Sequence, residues 1–94
     1  MTRAPKLPKR EPWVPPEYDA FDIGSIKALA AGRATEGQQK HALELIIYAM
    51  AGTYDQSFRP GGLDGQRASD FAEGRRFVGL QIVKLINMDM PEKA

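Results

Sequence analysis

The chain has 94 residues, with thirteen Lys or Arg against twelve Asp or Glu, one His and no Cys. That length allows one small domain, and the missing cysteine excludes a disulfide scaffold, a thiolate zinc site and a cysteine nucleophile. The single His argues against a His-based triad or metal cage, the net charge of +1 against a strongly basic nucleic-acid coat, and the 43% hydrophobic fraction against a disordered chain. No apolar run approaches the ~20 residues that cross a bilayer, so no membrane partner is expected.

Residues 1–18 hold five of the seven prolines, Pro5, Pro8, Pro12, Pro15 and Pro16. Proline fixes φ and removes an N–H donor, so this segment reads as an extended arm rather than a helix. Arg3, Lys6, Lys9 and Arg10 make it basic, and Trp13 is its large apolar anchor. The basic run is followed by prolines, not by the apolar stretch of a secretory signal.

A helical domain is expected over residues 19–88, with three helices. Helix one should run near 22–31, capped by Asp22 and stopped by Gly32 in a left-handed conformation. Helix two should run near 35–51. Thr35 and Gln38 have capping-box spacing, and Leu43, Ile46, Ile47 and Met50 form an i, i+3, i+4, i+7 stripe. Leu45 and Tyr48 widen that stripe past half the circumference, so the helix is expected to be covered on two sides, as a central helix or against another subunit. Gly52 should end it.

Residues 53–69 read as a long loop, because Pro60-Gly61-Gly62 and Asp64-Gly65 are turn signals. Helix three should then span 69–88, with Asp70 and Glu73 as its capping box. Phe71, Val78, Ile82 and Leu85 are expected to face helix two in an antiparallel pair. Gly74 and Gly79 each weaken a helix interior by ~1 kcal/mol relative to Ala, and close approach of another backbone is the natural compensation. Residues 89–94 should fray. The fold expected is thus all-α: a small three-helix domain with an extended Pro-rich N-terminal arm.

Chemistry-bearing groups are sparse. His41 stands alone mid-helix, without a nominated nucleophile or orienting group, so no catalytic residue, metal ligand or cofactor is assigned. There is no phosphate-binding G-x-x-x-x-G-K-[ST] loop. Arg75 and Arg76, with Lys6, Lys9 and Arg10 of the arm, are the candidate contacts to DNA phosphates. Residues 27–35 have the look of a helix-turn-helix entry. The positions three and six after the Thr35 cap are Gln38 and His41, however, where that motif wants apolar residues. Trp13, Leu45 and Tyr48 are the candidate interface residues, because a core this small gains from a second chain and a homo-oligomer is expected.

The segments from Ala34 to Leu43 and from Phe71 to Ile82 resemble small helical proteins of tailed bacteriophages. The similarity is to an uncharacterised family typified by a virion or packaging-module protein of a Bordetella podovirus. The run Glu73-Gly74-Arg75-Arg76-Phe77-Val78-Gly79 is its most specific part, and residues 19–88 its extent. The resemblance implies a phage morphogenesis setting in the infected host's cytoplasm or in the virion, with no catalytic residues to transfer. The role it suggests is a non-enzymatic, oligomeric DNA-packaging protein of small-terminase type. Such a protein would bind viral DNA and a large terminase or portal protein. A structural or assembly protein of the head or head–tail connector, or an inhibitor of a host enzyme, is the alternative.

Overall fold

The structure is a computed structural model that describes residues 11–91. It is all-α: helix α1 spans Ala20–Ala30, α2 spans Glu36–Glu44, and α3 spans Gly62–Asn87. Helix α2 continues directly into a π-helical segment, Leu45–Met50. No strand occurs among the described residues, and none of the helices is long and apolar enough to cross a membrane.

The cap of helix α1 lies three residues before the expected one. Asp19 is the N-cap and Asp22 is the N3 residue of a closed capping box, each carboxylate accepting the other's backbone N–H at 2.8 and 3.0 Å. Asp22 is therefore the third residue of the helix and not its cap. Helix α2 starts as its spacing predicts. The Thr35 hydroxyl accepts the Gln38 N–H at 3.1 Å, and the Gln38 side chain accepts the Thr35 N–H at 2.9 Å. Gly32 and Gly52 both adopt positive φ, +72° and +58°, a conformation that a Cβ disfavours and that turns the chain out of a helix.

The π segment is the centre of the fold. Its signature is the bond from the Ala51 N–H to the Ile46 carbonyl, 2.8 Å, five residues back. Leu45 and Ile47 are two residues apart and so project to opposite sides, yet both are buried. Helix α1 lies on the Leu45 side, where Leu45 and Met50 line a cleft with Ile23 and Ile26. Helix α3 packs on the same segment. The two-sided cover expected of helix two is therefore supplied within the chain at Leu45. Leu43, by contrast, is exposed, so the stripe drawn from α-helical spacing is broken by the π turn.

Helix α3 differs most from expectation. It starts at Gly62, not near residue 69, and has no side-chain cap; Asp70 and Glu73 lie on its exposed surface. Asp64-Gly65 is part of its first turns. Gly65 is small for a packing reason, since a Cβ there would sit 2.5 Å from the Pro60 carbonyl oxygen. The buried face is Gly65, Ala68, Ala72 and Gly79. Those spacings of three, four and seven mark one helix face. A Cβ on Gly79 would come within 1.7 Å of the Thr53 hydroxyl oxygen, so the chain leaving the π segment crosses α3 almost in backbone contact. Small residues face inward because only they permit that approach. Phe71, Val78 and Leu85, expected in the core opposite helix two, are each about half exposed or more. Instead of an antiparallel pair with α2, α3 rests on the π segment and the turn after it.

Candidate interaction surface

The local folding just described fixes where each candidate side chain stands. Arg75 lies beside the buried seam of α3 and its guanidinium donates to the Pro12 carbonyl at 3.0 Å. This clips the described part of the arm onto the domain. It also explains Gly52, because a Cβ at that position would stand 2.8 Å from the Arg75 Nη2. Arg76 donates through Nε to the Thr53 carbonyl at 2.9 Å and meets the Glu73 carboxylate at 3.4 Å. Glu73 in turn accepts the Ser57 hydroxyl. Ser57 first, and then Arg76, hold the Glu73 carboxyl below the usual carboxylate range. Both arginines thus fasten distant backbone to α3. Lys6, Lys9 and Arg10 lie outside the described residues.

In the loop before α3 a third arginine braces its own segment through its side chain and reaches α3 through its backbone. One Arg59 nitrogen, Nη1, donates to the carbonyls of Gln56, Ser57 and Phe58 at 2.8, 2.8 and 3.3 Å. The Arg59 N–H donates to the Ser69 hydroxyl at 2.7 Å, and that hydroxyl donates back to Gly65. No local sequence spacing announces these bonds, since every acceptor is a backbone carbonyl or a serine on another element.

Of the three candidate interface residues, Leu45 is corrected. It is 7% exposed and belongs to the core, because α1 covers the side of the π segment from which it projects. Tyr48 is partly exposed and stacks on Tyr54 with ring centroids 5.2 Å apart. Trp13 remains half exposed while its edge meets Phe71 of α3, centroids 6.0 Å apart at 85°. The aromatic anchor of the arm therefore extends the apolar outer surface of α3.

Asp19, Asp22 and His41 form a cluster with one ligand atom from each within 4.8 Å of the others. The His41 Nε2 lies 2.5 Å from an Asp22 oxygen, and Phe21 stacks on the imidazole at 4.3 Å. The Asp19 backbone N–H first, then His41, hold the Asp22 carboxyl below its usual value of 3.8. These residues have the donor types of a divalent-cation site. The capping box and the His–Asp contact already engage them, so the cluster works as a tether between α1 and α2. The Asp-x-x-Asp spacing is the signal that would have found its first half. His41 is brought there only by the packing of the two helices.

The largest feature is apolar. Along α3, Phe71, Val78 and Leu85 lie seven residues apart on one outward stripe, with Ile82 between the last two. Leu85 and Ile86 are 69% and 56% exposed. The position of Ile86, seven beyond Gly79, continues the inward face; its exposure shows that the end of α3 overhangs the core. A cleft of about 230 Å³ between α1 and the π segment, lined by Tyr18, Ile23, Ile26, Leu45 and Met50, adds a smaller apolar surface. Comparison with protein-family models, curated proteins and solved structures finds no match to this chain. The function therefore rests on the surface itself.

Proposed function

We propose that this protein is a non-enzymatic assembly protein that works by joining protein chains. In the phage setting that its sequence resemblance implies, it is a structural or assembly protein of the head or head–tail connector. The observation that carries this reading is the outward stripe of α3, where Phe71, Val78 and Leu85 each remain about half exposed or more. A contiguous apolar face of that kind is the mark of a protein interface rather than of an idle surface. Among the described residues no acid–base–nucleophile set accompanies it, and the one imidazole is engaged with Asp22.

DNA packaging of small-terminase type demands more of the chain. Arg75 and Arg76 would have to exchange carbonyl partners at Pro12 and Thr53 for phosphates. Light scattering at roughly tens of micromolar chain is expected to give a mass above one chain, since association scales with concentration. A duplex-DNA shift assay at low salt is expected to show no complex. A monomer mass refutes the assembly reading. A complex that weakens steeply with salt, and is lost in the Arg75→Ala/Arg76→Ala double variant, replaces it with DNA packaging.

A further inference from the structure

We propose that two copies of this chain pair antiparallel along α3, with their two-fold axis passing near Val78. The proposal rests on the reading that the protein joins protein chains, and it names the partner and the geometry.

The spacing of the exposed residues points to a helix as the partner. Phe71, Val78 and Leu85 repeat every seven residues, and the half-buried Ile82 follows Val78 at four. A seven-residue apolar repeat is the seam along which two helices pack with a shallow left-handed crossing. The stripe is separate from the seam of small residues that already holds α3 to its own domain.

Gly74 supplies an independent observation. It is exposed in the interior of a 26-residue helix, and nothing lies within 4 Å of where its Cβ would be. Gly79 is compensated within the chain by the close approach of Thr53; Gly74 is not. It lies three residues after Phe71 and four before Val78, on the edge of the stripe. In an antiparallel pair centred at Val78, residues whose numbers sum to about 156 face each other. Gly74 then receives the partner copy's Ile82, and Phe71 meets the partner copy's Leu85. The gap left by the glycine is filled by a bulky aliphatic side chain.

Charge selects the same direction. Asp70 and Lys84 flank the stripe on one side and stand about equally far from its centre. Antiparallel pairing brings Asp70 of each copy toward Lys84 of the other. Parallel pairing turns this flank of the two helices to opposite faces of the seam, so Asp70 and Lys84 gain no partner, and it sets Gly74 level with Gly74, which leaves a void. The area suits a small seam. Phe71, Val78 and Leu85 present on the order of 100 Å² each, so roughly 300 Å² of apolar surface, with a smaller share from the half-buried Ile82. The flanking polar side chains add to this, within the ~800 Å² per partner of a standard interface.

Because the natural chain has no cysteine, single cysteines report the geometry without background. Val78→Cys is expected to form a disulfide-linked dimer readily with oxidised glutathione, since the two thiols face each other at the axis. Leu85→Cys alone is expected to stay uncrosslinked. At ~1.5 Å rise per residue its two copies stand about 20 Å apart, beyond disulfide reach. Mixing Phe71→Cys with Leu85→Cys is expected to give the mixed dimer. Gly74→Leu, which has open space in its own chain, is expected to weaken the dimer at least tenfold while the chain keeps its helical content. Crosslinking of Val78→Cys and Leu85→Cys alike would show parallel pairing and overturn the proposal. A dimer that neither crosslinks at Val78 nor responds to Gly74→Leu overturns it while leaving the assembly reading in place. A monomer overturns both.

Discussion

Helices α1 and α2 have 11 and nine residues, and each begins with a closed capping box. Helix α3 has 26 residues from Gly62, and its N-cap, Gly61, offers no side-chain hydrogen bond. Short helices are marginal on their own, so orphaned N–H groups at their starts must be satisfied locally. The α1–α2 half is accordingly fastened by polar contacts that end at the Asp22–His41 tether. The long helix adds fastening by shape to its arginine hydrogen bonds, through small residues that let the backbone at Pro60 and the side chains of Ala51 and Thr53 come close. Close approach at glycine is thus the mark of the α3 half, and the closed capping boxes with their tether are the mark of the other.

The largest expected effect tests the volume side. Gly79→Val should destabilise the chain by about 3 kcal/mol or more, because its first side-chain atom already collides with Thr53 and Ala51. Gly74→Ala, five residues away on the same helix, should instead stabilise it by roughly 0.5–1 kcal/mol, since the site is open and alanine favours helix. Denaturant unfolding of dilute chain measures both. Equal costs at the two glycines would mean that α3 is not held by close approach.

The π segment joins the two halves, and its side chains provide the next contrast. Ile47→Ala should lower stability by about 2–4 kcal/mol, because Ile47 is 7% exposed and its removal leaves a cavity. Leu43→Ala should cost less than about 1 kcal/mol, because Leu43 is 40% exposed. Both residues belong to one stripe at α-helical spacing, so similar losses would restore an unbroken α-helix through residue 50.

That contrast shows where the sequence was legible. Caps and stops are local: Thr35 with Gln38, Gly32 and Gly52 act where their spacing placed them. The π turn depends on bonds five residues apart and leaves no residue signature, so the phase after Glu44 was misjudged. The start of α3 was misplaced because glycine at 65 looks the same whether it makes a turn or admits a carbonyl. The outward stripe was visible as a stripe. Its direction was not, since the usual rule places the bulkiest side chains inside, whereas here the approach at Gly65 and Gly79 reserves the inner face for small ones. The roles of Arg75 and Arg76 were hidden for a similar reason: their acceptors are backbone carbonyls at Pro12 and Thr53, far away in the chain.

The smallest expected effect belongs to the polar half and is read through pH. The Asp22 carboxyl is held below 3.8 by the Asp19 N–H first and by His41 second. A carboxyl depressed in the folded state adds stability above its unfolded pKa, and loses it as pH falls through the folded value. Asp22→Asn should therefore be less stable than the natural chain at pH above 3.8, and the two should converge as acid protonates Asp22. Glu73, also held low, adds a slope of the same sign that both proteins share, so the difference between their urea midpoints isolates Asp22. A difference that persisted unchanged into strong acid would show that Asp22 acts through shape rather than charge. The tether between α1 and α2 would then be the same kind of fastening as the seam of α3.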